Sequence, residues 1–287
     1  MHLPMVVGAD GSESSFRAVD WAADEAALHG LPLRIVHAYR WDRYEGAALA
    51  RELGEPSGSV APEDILTVAA RRARRHHPGL AVSTEAVAEE PEYVLLREAR
   101  NASAVIVGTR GRGDLADLLL GSVSLTVATE AVCPVTVIRA HHDNRAADGR
   151  HGRVVVGVAD GPTAAVPFAY EEARRRGAAL DAVRAWRCPT HETADHPLLA
   201  GLPERVHEER AAKELAAALS DAPADVTLRR HTVEGSARRV LLTASHEADL
   251  LVVGRRRPGQ FGHRLGRVAH ALLHHSACPV AVVPDTA

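Results

Sequence analysis

The sequence predicts an α/β fold built twice, as two tandem open-sheet domains in which strands and helices alternate along a parallel sheet. Three observations carry this expectation. Short aliphatic runs such as Ala104-Val105-Ile106-Val107 have the length and continuous hydrophobicity of strands buried on both faces. Segments with helical periodicity separate those runs, and alternation of this kind covers both faces of a parallel sheet. The whole pattern then restarts in the second half of the 287 residues, as a duplicated unit would.

In the first half, Pro4–Gly8 reads as a short buried strand, and Gly8-Ala9-Asp10-Gly11-Ser12 as a turn that also caps a helix. That helix runs to about His29, with Phe16, Val19, Ala23 and Ala27 on one face, and Gly30 closes it. Leu33–Ala38 is a second buried strand. Residues 42–62 are rich in Gly, Pro and Ser and read as a mobile loop. An Ala/Arg helix over Glu63–His77, a strand over Leu80–Ala86 and a helix over Pro91–Arg100 follow. The strand over residues 104–107 and a last one over Val135–Ile138 complete the half. Polar residues 141–152 break all periodicity and mark a linker between a first domain, 1–140, and a second, 153–287.

The second half echoes the first step by step. Val154-Val155-Val156-Gly157 with Asp160-Gly161 repeats Val6-Val7-Gly8 with Asp10-Gly11. Ala182-Val183-Arg184-Ala185-Trp186 repeats Ile35-Val36-His37-Ala38-Tyr39, and Val240-Leu241-Leu242 repeats Val94-Leu95-Leu96. Val252-Val253-Gly254 repeats Ile106-Val107-Gly108, and Cys278-Pro279-Val280 repeats Cys133-Pro134-Val135.

The stretch with most chemistry lies between the last two strands of the first half. Gly108 follows the strand, Gly111 comes three residues on, and Gly121-Ser122 ten further. A helical pattern (Val123, Val127, Ala131) then runs to Cys133-Pro134. Glycines let the main chain approach a ligand closely. The unpaired N–H groups and dipole at a helix start suit a phosphate. A Walker-type loop does not fit, since it needs a lysine after the last glycine and Lys213 is the only lysine in the chain. The dinucleotide fingerprint fits only in part. Gly111, Gly113 and Ala116 satisfy its relaxed form, but the next strand ends in Arg139 and not in an acid that would hold a ribose. The plain structural alternative is a strand-to-helix loop with turn glycines and a serine cap.

The spacing Gly-x2-Gly-x9-Gly-Ser, filled by Gly108, Gly111, Gly121 and Ser122, resembles the nucleotide-binding motif of the universal stress protein family. The resemblance runs once through each half. It implies a five-stranded parallel sheet between helices in each domain, Rossmann-like and similar to adenine nucleotide hydrolases. It also implies ATP, with Mg2+, bound at the carboxyl ends of the strands. Carried over by motif, Asp10 would face the nucleoside or a metal on its phosphates, and Ala38 would lie near the adenine. Val107 and Gly108 would touch adenine and ribose through backbone. Gly111, Gly121, Ser122, Val123 and Ser124 would hold the phosphates, and Arg110 could add charge. The second half is degenerate by the same standard: Asp160 and Gly254 are kept, Arg257 stands at the second glycine, and Gly266 matches Gly121 only if the loop is one residue shorter. Arg267 then replaces the serine. Arg255-Arg256-Arg257 reads as a solvated loop or, alternatively, a phosphate clamp.

Composition narrows the function classes. With 46% hydrophobic and 25% charged residues the chain has the make-up of a soluble globular protein, and a formal charge of −3 makes no case for nucleic-acid binding. No apolar run reaches a membrane span and no signal peptide is evident, so a cytoplasmic protein is expected. Three cysteines make no disulfide framework. Seventeen histidines include no HExxH pair, no G-x-S-x-G elbow exists, and His37 on a buried strand reads as a satisfied core residue. No metal ligands and no catalytic residues are therefore expected. The preferred reading is an ATP-binding stress or signalling module acting through conformation or partner binding; the alternative is a slow ATPase or related adenine-nucleotide hydrolase. Family domains commonly dimerise through their last strand. The halves are thus expected to pack as a pseudo-dimer through Val135–Ile138 and Val280–Val283, with a homodimer as a further possibility.

Overall fold

A computed structural model of the chain describes residues 3–39, 61–109, 120–139, 150–161, 163–187, 204–255 and 265–285. The chain divides into two compact units, the first over residues 1–142 and the second starting at Asp143. The expected loop over residues 42–60 and most of the expected linker lie outside the described residues.

The first unit runs β1 (Met5–Gly8), α1 (Glu13–His29), β2 (Leu33–Ala38), α2 (Pro62–His76), β3 (Val82–Val87), α3 (Pro91–Glu98), β4 (Ala104–Gly108), α4 (Ser122–Glu130) and β5 (Val135–Ile138). Its sheet has the order β3-β2-β1-β4-β5, with every pair parallel. The chain moves outward from β1 to β3, then crosses back to place β4 on the other side of β1. That reversal opens a crevice at the carboxyl ends of β1 and β4, where the flanking connections leave in opposite directions.

Small residues on α1 let it lie close to the sheet. Ala18, Val19, Ala22, Ala23 and Ala26 are buried against Val7, Leu33, Ile35 and Ile106. Each fully buried Val, Leu or Ile contributes roughly 1.5–3 kcal/mol. This stripe differs from the expected one, because Ala27 is exposed and Phe16 only partly buried. With so few aromatics, the contact face is set by the alanines that allow closest approach. Gly30 ends the helix as expected, at φ 65, with its N–H donating to the carbonyls of Ala26 and Ala27. Pro62 belongs to α2 and not to the preceding loop, since its fixed φ and missing N–H suit the first turn.

The second unit runs β6 (Arg153–Gly157), α5 (Ala165–Arg176), β7 (Ala179–Trp186), α6 (Glu204–Ala218), β8 (Leu228–Glu234), α7 (Ala237–Ala244), β9 (Leu250–Arg255), α8 (Arg267–His275) and β10 (Val280–Pro284). Its order, β8-β7-β6-β9-β10, repeats that of the first unit, again with parallel pairs. Asp249 ties its start down by accepting from the backbone N–H groups of His151 and Arg153, at 2.8 and 3.0 Å. Cys133 and Cys278 are free thiols, both buried. Among the described residues no helix is long and apolar enough to cross a membrane.

Candidate functional site

At the end of β1, Ala9 donates its N–H to Val36 and the chain then turns into α1. Asp10 Oδ1 accepts from both the N–H and the hydroxyl of Ser12, at 2.9 and 2.6 Å. Ser12 in turn caps α1, its Oγ accepting from the Ser15 N–H at 3.1 Å. Within the expected capping turn, where Asp10 is the other candidate cap, the role falls to Ser12. Asp10 instead braces the cap with one carboxylate oxygen.

At the end of β4, the Thr109 N–H bonds to Ile138 and so keeps the strand in register with β5 just past its last residue. Gly121 then returns to the same place, its N–H donating to the Thr109 carbonyl at 2.7 Å. Gly121 is the N-cap of α4 and carries no side chain over the helix end. Ser122 is the first helical residue, so the hydroxyl expected at the helix start is present but does not cap it. Its Oγ lies 3.3 Å from Glu92 Oε1. The first intrahelical bond runs from Leu125 to Gly121. The N–H groups of Ser122, Val123 and Ser124 therefore have no partner within the helix.

These ends enclose a cavity of about 240 Å³. It brings together eight of the ten residues singled out in the first half: Asp10, Ala38, Val107, Gly108, Gly121, Ser122, Val123 and Ser124. The other two, Arg110 and Gly111, lie outside the described residues. Sequence reasoning missed Val36, Ser15, Pro91 and Leu95, which also line it. Val36 was within reach, since it sits two residues before Ala38 on the same face of β2. Leu95 was not, because nothing local shows that α3 crosses over the end of β1. Gly8 makes room for that crossing: a Cβ there would lie 3.2 Å from Leu95 Cδ1.

Gly108 has a second reason to be glycine. A Cβ at this position would sit 2.8 Å from the Ser14 carbonyl oxygen and 2.7 Å from its hydroxyl. The close approach here is between β4 and the first turn of α1. His37 is satisfied as expected, its Nδ1 donating to the Ala9 carbonyl at 2.6 Å.

The second unit repeats the frame with different chemistry. Gly266 caps α8 with φ −61 and ψ 151, close to the −66 and 153 of Gly121, and His270 donates back to it as Leu125 does to Gly121. Arg267 occupies the place of Ser122 and is exposed. Gly254 answers to Gly108, with Thr163 Oγ1 2.4 Å from where a Cβ would be. At the strand ends, however, Arg184 stands where the first unit has His37. Its guanidinium donates to Asp160 Oδ1 at 2.5 Å and pairs also with Glu214. Asp160 is thereby held in an ion pair, whereas Asp10 has no cation against it among the described residues. A hydrogen bond from Arg210 holds the Glu214 carboxylate below its usual range, with Arg184 adding to the effect against the cost of burial. Arg257 lies outside the described residues.

Two parallel α/β sheets of identical strand order, each with a crevice at the switch point and a glycine-capped helix beside it, define a tandem protein of the Rossmann-like class. The chain belongs to the universal stress protein family, whose sequence profile matches residues 1–139 and 151–284. A universal stress protein of Mycobacterium bovis is 35% identical over 289 residues, covering 97% of this chain and 96% of its own. One of Mycolicibacterium smegmatis is 32% identical over the same length, with the same coverage. The crystal structure of a universal stress protein from Archaeoglobus fulgidus shares the fold, with a TM-score of 0.68 over 99% of this chain and 98% of its own at 20% identity.

Proposed function

We propose that this chain is a cytoplasmic, ATP-binding stress or signalling module with one working nucleotide site, in the first unit. The observation that carries this reading is the cavity that gathers the strand ends, Asp10 and the start of α4, whose cap, Gly121, has no side chain. Its floor of Val36, Ala38 and Val107 suits an adenine ring. The N–H groups of Ser122, Val123 and Ser124 suit phosphate oxygens at the positive end of the helix dipole. Mg2+ would fall to Asp10, whose second carboxylate oxygen has no hydrogen bond within the described residues. The two buried free cysteines suit a reducing compartment.

In the second unit Asp160 is neutralised by Arg184 and a long side chain follows the cap at Arg267. That unit acts as a scaffold or regulatory partner. The reading includes pairing of the two units through their last strands, since β5 and β10 each end their own unit's strand order in a short apolar strand. Slow hydrolysis is the lesser reading. A base would have to activate water, and Asp10, the carboxylate lining the cavity, already uses one oxygen to brace Ser12.

Calorimetry with ATP, AMP and cyclic AMP, together with mass spectrometry of any ligand released from the purified protein, tests the assignment. ATP binding to the wild type that is lost in Gly121→Val supports it. Unchanged ATP affinity in that variant would overturn it, and turnover with Mg2+ would favour the hydrolase.

A further inference from the structure

The second unit carries a groove of about 560 Å³ under α7, running toward the carboxyl ends of β7 and β8. The register shows what opens it. In the first unit Arg34 faces Val6 across β1 and β2, and bridges Glu85 on β3 and Glu98 at the end of α3, donating to Glu98 Oε2 at 2.7 Å. At the corresponding places the second unit has Asp181, His231 and Ala244. The charge of the central residue is reversed, and the long acid that filled the space is replaced by a methyl group.

Asp181 is left with unmet capacity. Its side chain is 7% exposed, and Oδ2 pairs with Arg153 Nε at 3.0 Å. Oδ1 has no hydrogen-bond partner: His231 Nε2 at 3.5 Å, itself unpartnered, and Arg229 Nη1 at 3.9 Å make no hydrogen bond to it. A buried carboxylate oxygen without a donor costs free energy that a ligand donor would recover. At the other end of the groove, Arg187 and Arg239 stand near the start of α7 with no ion-pair partner among the described residues, against the single carboxylate of Glu234. Val155 sits beside Asp181, and Val183 and Val233 lie between the two ends.

We propose that this groove is a second ligand site, for a small organic anion with an apolar body and a hydroxyl or amino donor at its far end. The anion meets Arg239 and Arg187, the body lies on the valines, and the donor reaches Asp181 Oδ1. The site is independent of the nucleotide cleft.

The test uses the full chain and three probes of one shape in calorimetry: 4-hydroxyphenylacetate, phenylacetate and tyramine. The first should bind saturably, phenylacetate about tenfold more weakly for want of the donor, and tyramine not measurably, since its charge is reversed. Arg239→Gln should weaken 4-hydroxyphenylacetate about tenfold, as loss of a charge-assisted bond does. Ala244→Leu should fill the groove and abolish binding with no fall in melting temperature. Gly121→Val should leave it unchanged, which separates this site from the nucleotide reading. No saturable binding of 4-hydroxyphenylacetate, equal binding of tyramine, or binding that survives both Arg239→Gln and Ala244→Leu overturns the proposal.

Discussion

Ser124 donates its hydroxyl to the Gly108 carbonyl at 2.5 Å, in a buried position, and so ties the first turn of α4 to the end of β4. The two residues are sixteen apart in sequence, and both belong to the cavity wall. The bond satisfies a carbonyl that the end of the strand would otherwise bury unpaired. It also engages the Ser124 hydroxyl, which leaves its backbone N–H as the group that can meet a phosphate. Ser122 keeps an accessible hydroxyl.

The two serines should therefore respond differently to substitution. Ser124→Ala strands the Gly108 carbonyl and should cost about 1–3 kcal/mol of stability, read as a lower urea midpoint. Ser122→Ala should leave the midpoint nearly unchanged while weakening ATP binding. Equal effects of both changes on stability would contradict the distinction.

The glycines divide in a similar way. Gly108→Ala drives a methyl group against the Ser14 backbone and should destabilise by roughly 1–3 kcal/mol through overpacking. Gly121 has an ordinary φ of −66, so Gly121→Val carries no backbone strain. It should remove ATP binding with little change in melting temperature. Thermal melts with and without ATP read both outcomes.

A titration should saturate at one ATP per chain. At the second strand end Arg184 neutralises Asp160 and is itself buried, its side chain 10% exposed. Two equivalent sites, both surviving Gly121→Val, would remove the asymmetry between the units.

Burial pushes the Cys278 thiol up to about 12, the bond with Ser276 opposing only part of the shift. The folded state thus holds this proton where an unfolded thiol, ionising near pH ~8.5, would release it. The contribution to stability is present below that pH and is lost as pH rises toward 12. At pH ~8 a thiol reagent should leave Cys278 unlabelled in the native protein and modify it promptly in denaturant. Rapid native labelling, located by peptide mapping, would contradict this burial.

The sequence by itself determined the alternation of strands and helices, the duplication, the closure of α1 at Gly30 and the family motif around Gly108 and Gly121. Each of these is local. A strand buried on both faces needs an unbroken aliphatic run, a left-handed helix end needs glycine, and a repeat is visible as repetition. Tertiary structure alone decided the rest. Ser12 rather than Asp10 caps α1 because the turn geometry places its hydroxyl, and not the carboxylate, over the free N–H groups. Leu95 reaches the cavity because α3 crosses the end of β1, and Arg184 meets Asp160 because β6 and β7 pair in one register. The groove under α7 exists because Ala244 and Asp181, 63 positions apart, occupy the places of Glu98 and Arg34. Such contacts join residues far apart in sequence, and their chemistry is set by which side chains the parallel register brings to the same face of the sheet.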